Sequence, residues 1–225
     1  MNDLAQKLIE ELQCETVFTI PVLGGIPVSE AVVVTWIIMA VLVIVAFILT
    51  RNLKVDHISK RQAVAESIVT GLMNMVQGMV GEKGRKYVPY LTTVMLYIGV
   101  SNIIGLFGFK SPTKDLRVTV ALALMSIILI EAAGIYHKGV KRWFVEPVAI
   151  VTPINILEVV TKPLSLCMRL FGNVLGAFVI MELLKMILPV GLPVVFSLYF
   201  DIFDGLLQAY VFVFLTSLYI DEITE

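Results

Sequence analysis

The sequence predicts an all-α polytopic membrane protein: three transmembrane spans, an amphipathic helix and a C-terminal hairpin of two long helices. Three observations predict it. Of 225 residues, 58% are hydrophobic and 16% charged, with a mean hydropathy of +0.93, whereas a soluble domain has about 25% charged residues. Apolar runs long enough to cross a bilayer as helices recur along the chain. Two longer helical stretches near the C-terminus are separated only by Pro189, Gly191 and Pro193, a turn signal.

Other classes find no support. A net charge of -1 gives no basis for binding nucleic acid. Cys14 and Cys167 lie far apart with no redox or metal-ligand spacing. There is no nucleotide-binding glycine loop, triad spacing or metal cluster, so neither cofactor, metal site nor catalytic residue is expected. The first apolar run begins near Ala31 and is too long for the apolar core of a cleavable signal peptide.

Residues 1–28 form a mostly polar lead-in. Asp3 to Leu12 could make a short amphipathic helix, and Pro21, Gly24, Gly25 and Pro27 mark turns. A single membrane domain fills 29–225. Ser29 is a plausible N-cap, with Glu30 in the first turn. Span one covers about 31–50; its core, Val32 to Leu49, is uncharged, and Trp36 sits near its start as an interfacial anchor would. At about 57–81, Ala63, Ile68, Leu72, Met75 and Met79 form an apolar face interrupted by Arg61, Glu66, Asn74 and Gln77, an amphipathic surface helix. Its methionines read as packing.

Span two covers about 87–109, with Pro89 near its start and Gly99, Ser101, Asn102 and Gly105 suited to close helix contact. Lys110 to Arg117 reads as a short polar turn, and span three follows at about 117–137. Glu131 near its end reads first as an interfacial carboxylate beside His137 and Lys138, and second as part of an ion path. After a basic connector, 138–147, Thr152 and Pro153 fit N-cap and first helical position of a hairpin, 153–188 and 193–223.

Positive residues set the expected orientation. Arg51, Lys54, Lys60, Arg61, Lys83, Arg85 and Lys86 follow span one, and Lys138, Lys141 and Arg142 follow span three. The N-terminal segment has only Lys7, so it is expected outside, with the C-terminus cytoplasmic.

Within the hairpin, Arg169 is the only charged side chain from Pro163 to Met181. An arginine at bilayer depth is costly, about 3 kcal/mol on insertion scales, and marks function by default. At 100° per residue, Glu158, Lys162, Ser165, Asn173 and Gly176 fall within about 40° of Arg169. Gly172 and Gly176 have GxxxG spacing, which admits a close helix. The first helix would be about 54 Å long against a hydrocarbon core of about 30 Å, so it projects or tilts. The second helix carries Asp201, Asp204 and Gln208 on one face. With the turn at Pro189–Pro193, Asn173 is expected to face Gln208, and Glu182 to face Asp201. Two carboxyl groups so placed suit proton relay; the alternative is an ion pair between Glu182 and Lys185.

The run KPLSLCMRLFGNVLGA, followed later by LLQAYVFVFLTSLYI, resembles the a subunit of the F-type ATP synthase membrane sector. The resemblance is densest over 145–223. It implies a stator subunit with two strongly tilted hairpin helices packed along a ring of c subunits, held by the b-subunit peripheral stalk, in a bacterial plasma membrane. Two offset half-channels would carry H+, or Na+ in some members, to a ring carboxylate. Arg169 would attract that carboxylate and block a direct leak, coupling ion flow to rotary ATP synthesis while the ATP chemistry stays on other subunits. Asn173 and Gln208 match polar positions near the arginine. Glu158 matches a glutamate where a cytoplasmic half-channel opens, and Ser165, Gly172 and Gly176 would pack towards the rotor. Where many members carry a glutamate or histidine nine residues after the arginine, this chain has Phe178; the companion position is Asp201, and Glu182, one turn on, would replace the missing group. Two other readings stand beside this one: a stand-alone channel or secondary transporter, for which repeats or paired broken helices are absent, and a structural subunit without an ion path.

Overall fold

The computed structural model describes residues 16–21, 26–51, 59–107, 109, 111–139, 152–187 and 191–224. The expected Asp3–Leu12 helix, nearly all of the 138–147 connector and Pro189 lie outside them. The described chain opens with an antiparallel hairpin, β1 (Thr16–Ile20) and β2 (Ile26–Ser29), pairing Phe18 with Val28 and Ile20 with Ile26. The sequence reading of the lead-in included no strand, yet TVFTI is rich in β-branched and aromatic residues, which suit one.

The helices follow: α1 (Glu30–Thr50), α2 (Lys60–Met79), α3 (Val88–Ile103), α4 (Leu116–Lys138), α5 (Thr152–Ile187), α6 (Leu192–Ser197) and α7 (Gly205–Thr224). Leu198–Asp204, between α6 and α7, is π-helical. Among the described residues, five helical stretches are long and apolar enough to cross a membrane: Glu30–Thr50, Gly84–Leu106, Leu116–His137, Val160–Met186 and Pro193–Thr224. These are the three spans and the two hairpin arms. The chain is a multi-pass all-α membrane protein.

The core lies where α3 packs along α7 and α4 along α5, with α7 also against α4. Leu91 and Ile98 of α3, Ile130 of α4, Leu166 and Leu170 of α5, and Phe212, Val213 and Ile220 of α7 are fully buried. α1 stands at the periphery, with Val43, Phe47 and Ile48 exposed as in a lipid-facing span. α2 exposes Val64, Ile68 and Val69 and buries Val76, so it is an amphipathic layer beside the bundle.

Several threonine hydroxyls inside the spans bond their own helix. Thr35, Thr92 and Thr216 each donate to the carbonyl four residues back, as expected where no water can serve them. At one end of the bundle, Ser217 donates to the Met79 carbonyl at 3.3 Å, and Asp221 accepts from Gly81 N. The C-terminal helix thus satisfies the open end of α2.

At the other end, the turn before α4 departs from expectation. Ser111, Thr113 and Asp115 are buried. Asp115 is the N-cap of α4, accepting from Arg117 N at 2.9 Å, and it also accepts from Ser29 Oγ at 2.9 Å. Ser29 therefore occupies the N-cap position of α1 without capping it. The reason is competition: a buried carboxylate is a stronger acceptor than a helix N–H is a donor in need, because water cannot replace it. Asp115→Ala leaves two donors unmatched and is expected to cost about 1–3 kcal/mol. The check is the thermal unfolding midpoint in detergent, expected to fall by about 2–4 °C per kcal/mol.

Candidate functional site

α5 is fixed by its buried side. Leu166, Cys167 and Leu170 face inward, which turns Leu164, Ser165, Met168, Arg169 and Gly172 outward. The Arg169 guanidinium has no hydrogen bond or ion pair among the described residues. A Cβ added at Gly172 or Gly176 would meet nothing within 4 Å. The glycine face is therefore open among the described residues.

The expected polar stripe around Arg169 divides. At one end Lys162 pairs with Glu158 at 3.3 Å and Glu222 at 3.0 Å. At the other, Asn173 Nδ2 donates to Asp204 Oδ2 at 2.7 Å. Only the middle of the stripe, Ser165 and Arg169, is exposed. Asn173 thus meets Asp204, not Gln208 as expected. The pairing of α5 with the second arm is therefore shifted from the register that a turn centred on Pro189–Pro193 implied. Residues of α5 then meet lower-numbered partners.

A cavity of about 440 Å³ opens at the end of the bundle that holds Thr113 and Gly191. Its polar lining includes Asn173, Glu182, Asp201, Asp204 and Gln208. Five residues separated in sequence are thereby gathered in one vestibule, whose inner end lies about one helical turn from Arg169. Gln208 is 4% exposed, and its Nε2 has no partner among the described residues. Glu182 bonds Lys185 at 2.6 Å and shares the cavity with Asp201 without a hydrogen bond between them. Phe178 also lines the cavity, with the Lys114 ammonium 4.1 Å above its ring, a cation–π contact. Glu131 instead lines a separate apolar groove of about 600 Å³ with Ile127, Val160 and Pro163.

The remaining wall comes from the end of α3 and the following turn. Asn102, Ser111 and Lys114 line the vestibule, and Asn102 Nδ2 donates to the Gly205 carbonyl at 3.0 Å. The sequence reading placed Asn102 only as a small polar contact and did not single out Lys114 or Glu222. The available signal was an asparagine inside an apolar span, a residue that is costly there without a partner.

Comparison with known proteins bears on this arrangement. The model of the ATP synthase A chain family matches residues 32–221. The chain belongs to that family. The ATP synthase subunit a of Moorella thermoacetica is 36% identical over 203 residues, covering 88% of this chain and 92% of that protein. The sodium-ion-specific ATP synthase subunit a of Propionigenium modestum is 35% identical over 215 residues, covering 87% and 74%. ATP synthase subunit a 1 of Crocosphaera subtropica is 30% identical over 197 residues, covering 85% of each. As a member of the ATP synthase A chain family, this protein is a multi-pass subunit of the synthase's membrane sector.

Close approach is a requirement of the site. A Cβ at Gly205 would lie 2.7 Å from Asn102 Cβ, whereas one at Gly99 would meet Leu206 Cδ2 at 3.5 Å, an ordinary contact. Gly205→Ala is expected to cost about 1–3 kcal/mol through overpacking, and Gly99→Ala to be nearly neutral. Thermal midpoints of the two variants in detergent provide the comparison.

Proposed function

We propose that this chain is the ion-translocating stator subunit that forms two offset half-channels against a c-subunit ring. The observation that carries the reading is the polar vestibule that stops at Asn173 and Gln208, beside an exposed Arg169 that has no ion pair among the described residues. An ion path through the whole subunit needs no such arrangement. A path that ends near an arginine on an open face needs a second carboxylate to arrive from outside the chain.

In this mechanism the ion, H+ or Na+, enters the vestibule from the outside and moves past Glu182, Asp201 and Asp204. It reaches the ring carboxylate near Asn173 and Gln208. Arg169 attracts the deprotonated carboxylate by charge, at a depth where low dielectric strengthens the attraction. The same fixed charge repels a cation moving directly between half-channels. Glu158, with Lys162 and Glu222 beside it, lines the cytoplasmic release side. Ser165, Gly172 and Gly176 leave room for the ring helices, and the tilt of α5 along the ring accommodates its length. The N-terminus lies outside, the C-terminus in the cytoplasm, and the b-subunit stalk holds the assembly in the bacterial plasma membrane.

Two outcomes test the reading. Arg169→Ala is expected to abolish ion-driven ATP synthesis in inverted vesicles while leaving the complex assembled; retained coupling points to a purely structural subunit. Glu182→Gln is expected to slow synthesis strongly, because Glu182 substitutes for the group missing at Phe178. Near-normal synthesis rates in that variant would leave Glu182 as the partner of Lys185 and nothing more.

A further inference from the structure

A π-helical turn holds about one residue more than an α-helical one and is rare, so it persists where its surroundings support it. Over Leu198–Asp204 the surplus corresponds to about 100° of helical rotation. Both vestibule aspartates lie within this segment, so its register decides where they point.

One turn of chain at the end of α3 touches the segment at two places. Asn102 donates to the carbonyl of Gly205, the first residue after it, at 3.0 Å. A Cβ on Gly105 would lie 3.1 Å from Asp201 Oδ1 and 3.5 Å from its Cγ. The Asn102 amide is itself held at its other end: Oδ1 accepts from Thr113 Oγ1 at 2.7 Å. The Thr113 hydroxyl lies 2.7 Å from that of Ser111, which donates to the Ser101 carbonyl at 2.7 Å. All four residues are buried. An amide fixed through both its oxygen and its nitrogen has one orientation and resists rotation.

We propose that Asn102 is a positioning residue for ion transport: it clamps the end of the π segment and so sets the rotation of Asp201 and Asp204 relative to Gln208. Without the clamp, the segment relaxes to ordinary α-helix, and Asp201 turns away from Gly105 and out of the vestibule. The consequence for transport rests on the half-channel reading above. The clamp itself can be tested without transport.

The experiment uses the assembled synthase in membranes, with Cys14 and Cys167 replaced by alanine. One cysteine pair is placed at Gly105 and Asp201, where a sulfur would take the place of the Asp201 Cγ. A second pair is placed at Gly99 and Leu206, just beyond the π segment. Each pair is made with Asn102 intact and with Asn102→Leu, and copper-catalysed disulfide formation is followed. The expected result is that Asn102→Leu slows the 105–201 disulfide at least about tenfold, as a displacement of more than an ångström would, and leaves the 99–206 disulfide unchanged. Two results overturn the proposal: both disulfides persist, so that Asn102 does not hold the segment, or both are lost, so that Asn102 serves general packing. Thr113→Val, which keeps the bond to Gly205, is expected to slow the 105–201 disulfide less than Asn102→Leu; equal slowing also overturns the proposal.

Discussion

A polar group surrounded by hydrocarbon must find its partner within the protein, because water cannot supply one. Most of this structure follows from that constraint. Threonine hydroxyls fold back onto their own helices. The open end of α2 is closed by Ser217 and Asp221 of the last helix. Lys162 bridges Glu158 and Glu222, and Asn173 meets Asp204. The bonds made by Ser217, Asp221, Glu222 and Asp204 join elements distant in sequence, so the same constraint that satisfies polar groups also fixes how the helices sit together. Against that background an exposed arginine midway along α5, without a partner among the described residues, is an exception, and exceptions of this kind coincide with function.

The two ends of the bundle meet the constraint differently. Where α2 meets α7, the polar groups pair closely, and the ion pairs there involve partly exposed side chains worth about 0–1 kcal/mol each. At the Thr113 end the polar groups are spread around a cavity, and some capacity is left over, as at Gln208. Unused hydrogen-bonding capacity facing an open space is suited to water or a passing ion. The π-helical turn belongs to the same end, so irregular backbone occurs beside a cavity and not against lipid, as bilayer physics requires.

Much of this was legible in the sequence. The apolar runs gave the spans to within a few residues, because length and hydropathy are local properties. Arg169 was conspicuous for the same reason, as was the hairpin turn. The partner of Asn173 was missed by one turn, because antiparallel register is not a local property of the sequence. The buried cluster of Asn102, Ser111 and Thr113 was read as a helix contact followed by a polar turn. Its meaning depends on Gly205, 103 residues away, and no periodicity reports that. The β-hairpin had a signal in TVFTI, but the flanking prolines and glycines drew the reading towards turns. The π segment had no local signal, since its residues are ordinary helix formers in a membrane.

The bare surface around Gly172 and Gly176 has a mechanical side. Helices that interlock by knobs and holes hold one register and resist sliding. A face where side chains are absent at two positions one turn apart offers a neighbour no teeth. Any helix that passes along it meets a shallow energy profile, so attraction to Arg169 can be strong without mesh between the surfaces adding resistance to motion. In the proposed stator role, holding power and low friction would then fall to different atoms: charge to one side chain, smoothness to the lack of others.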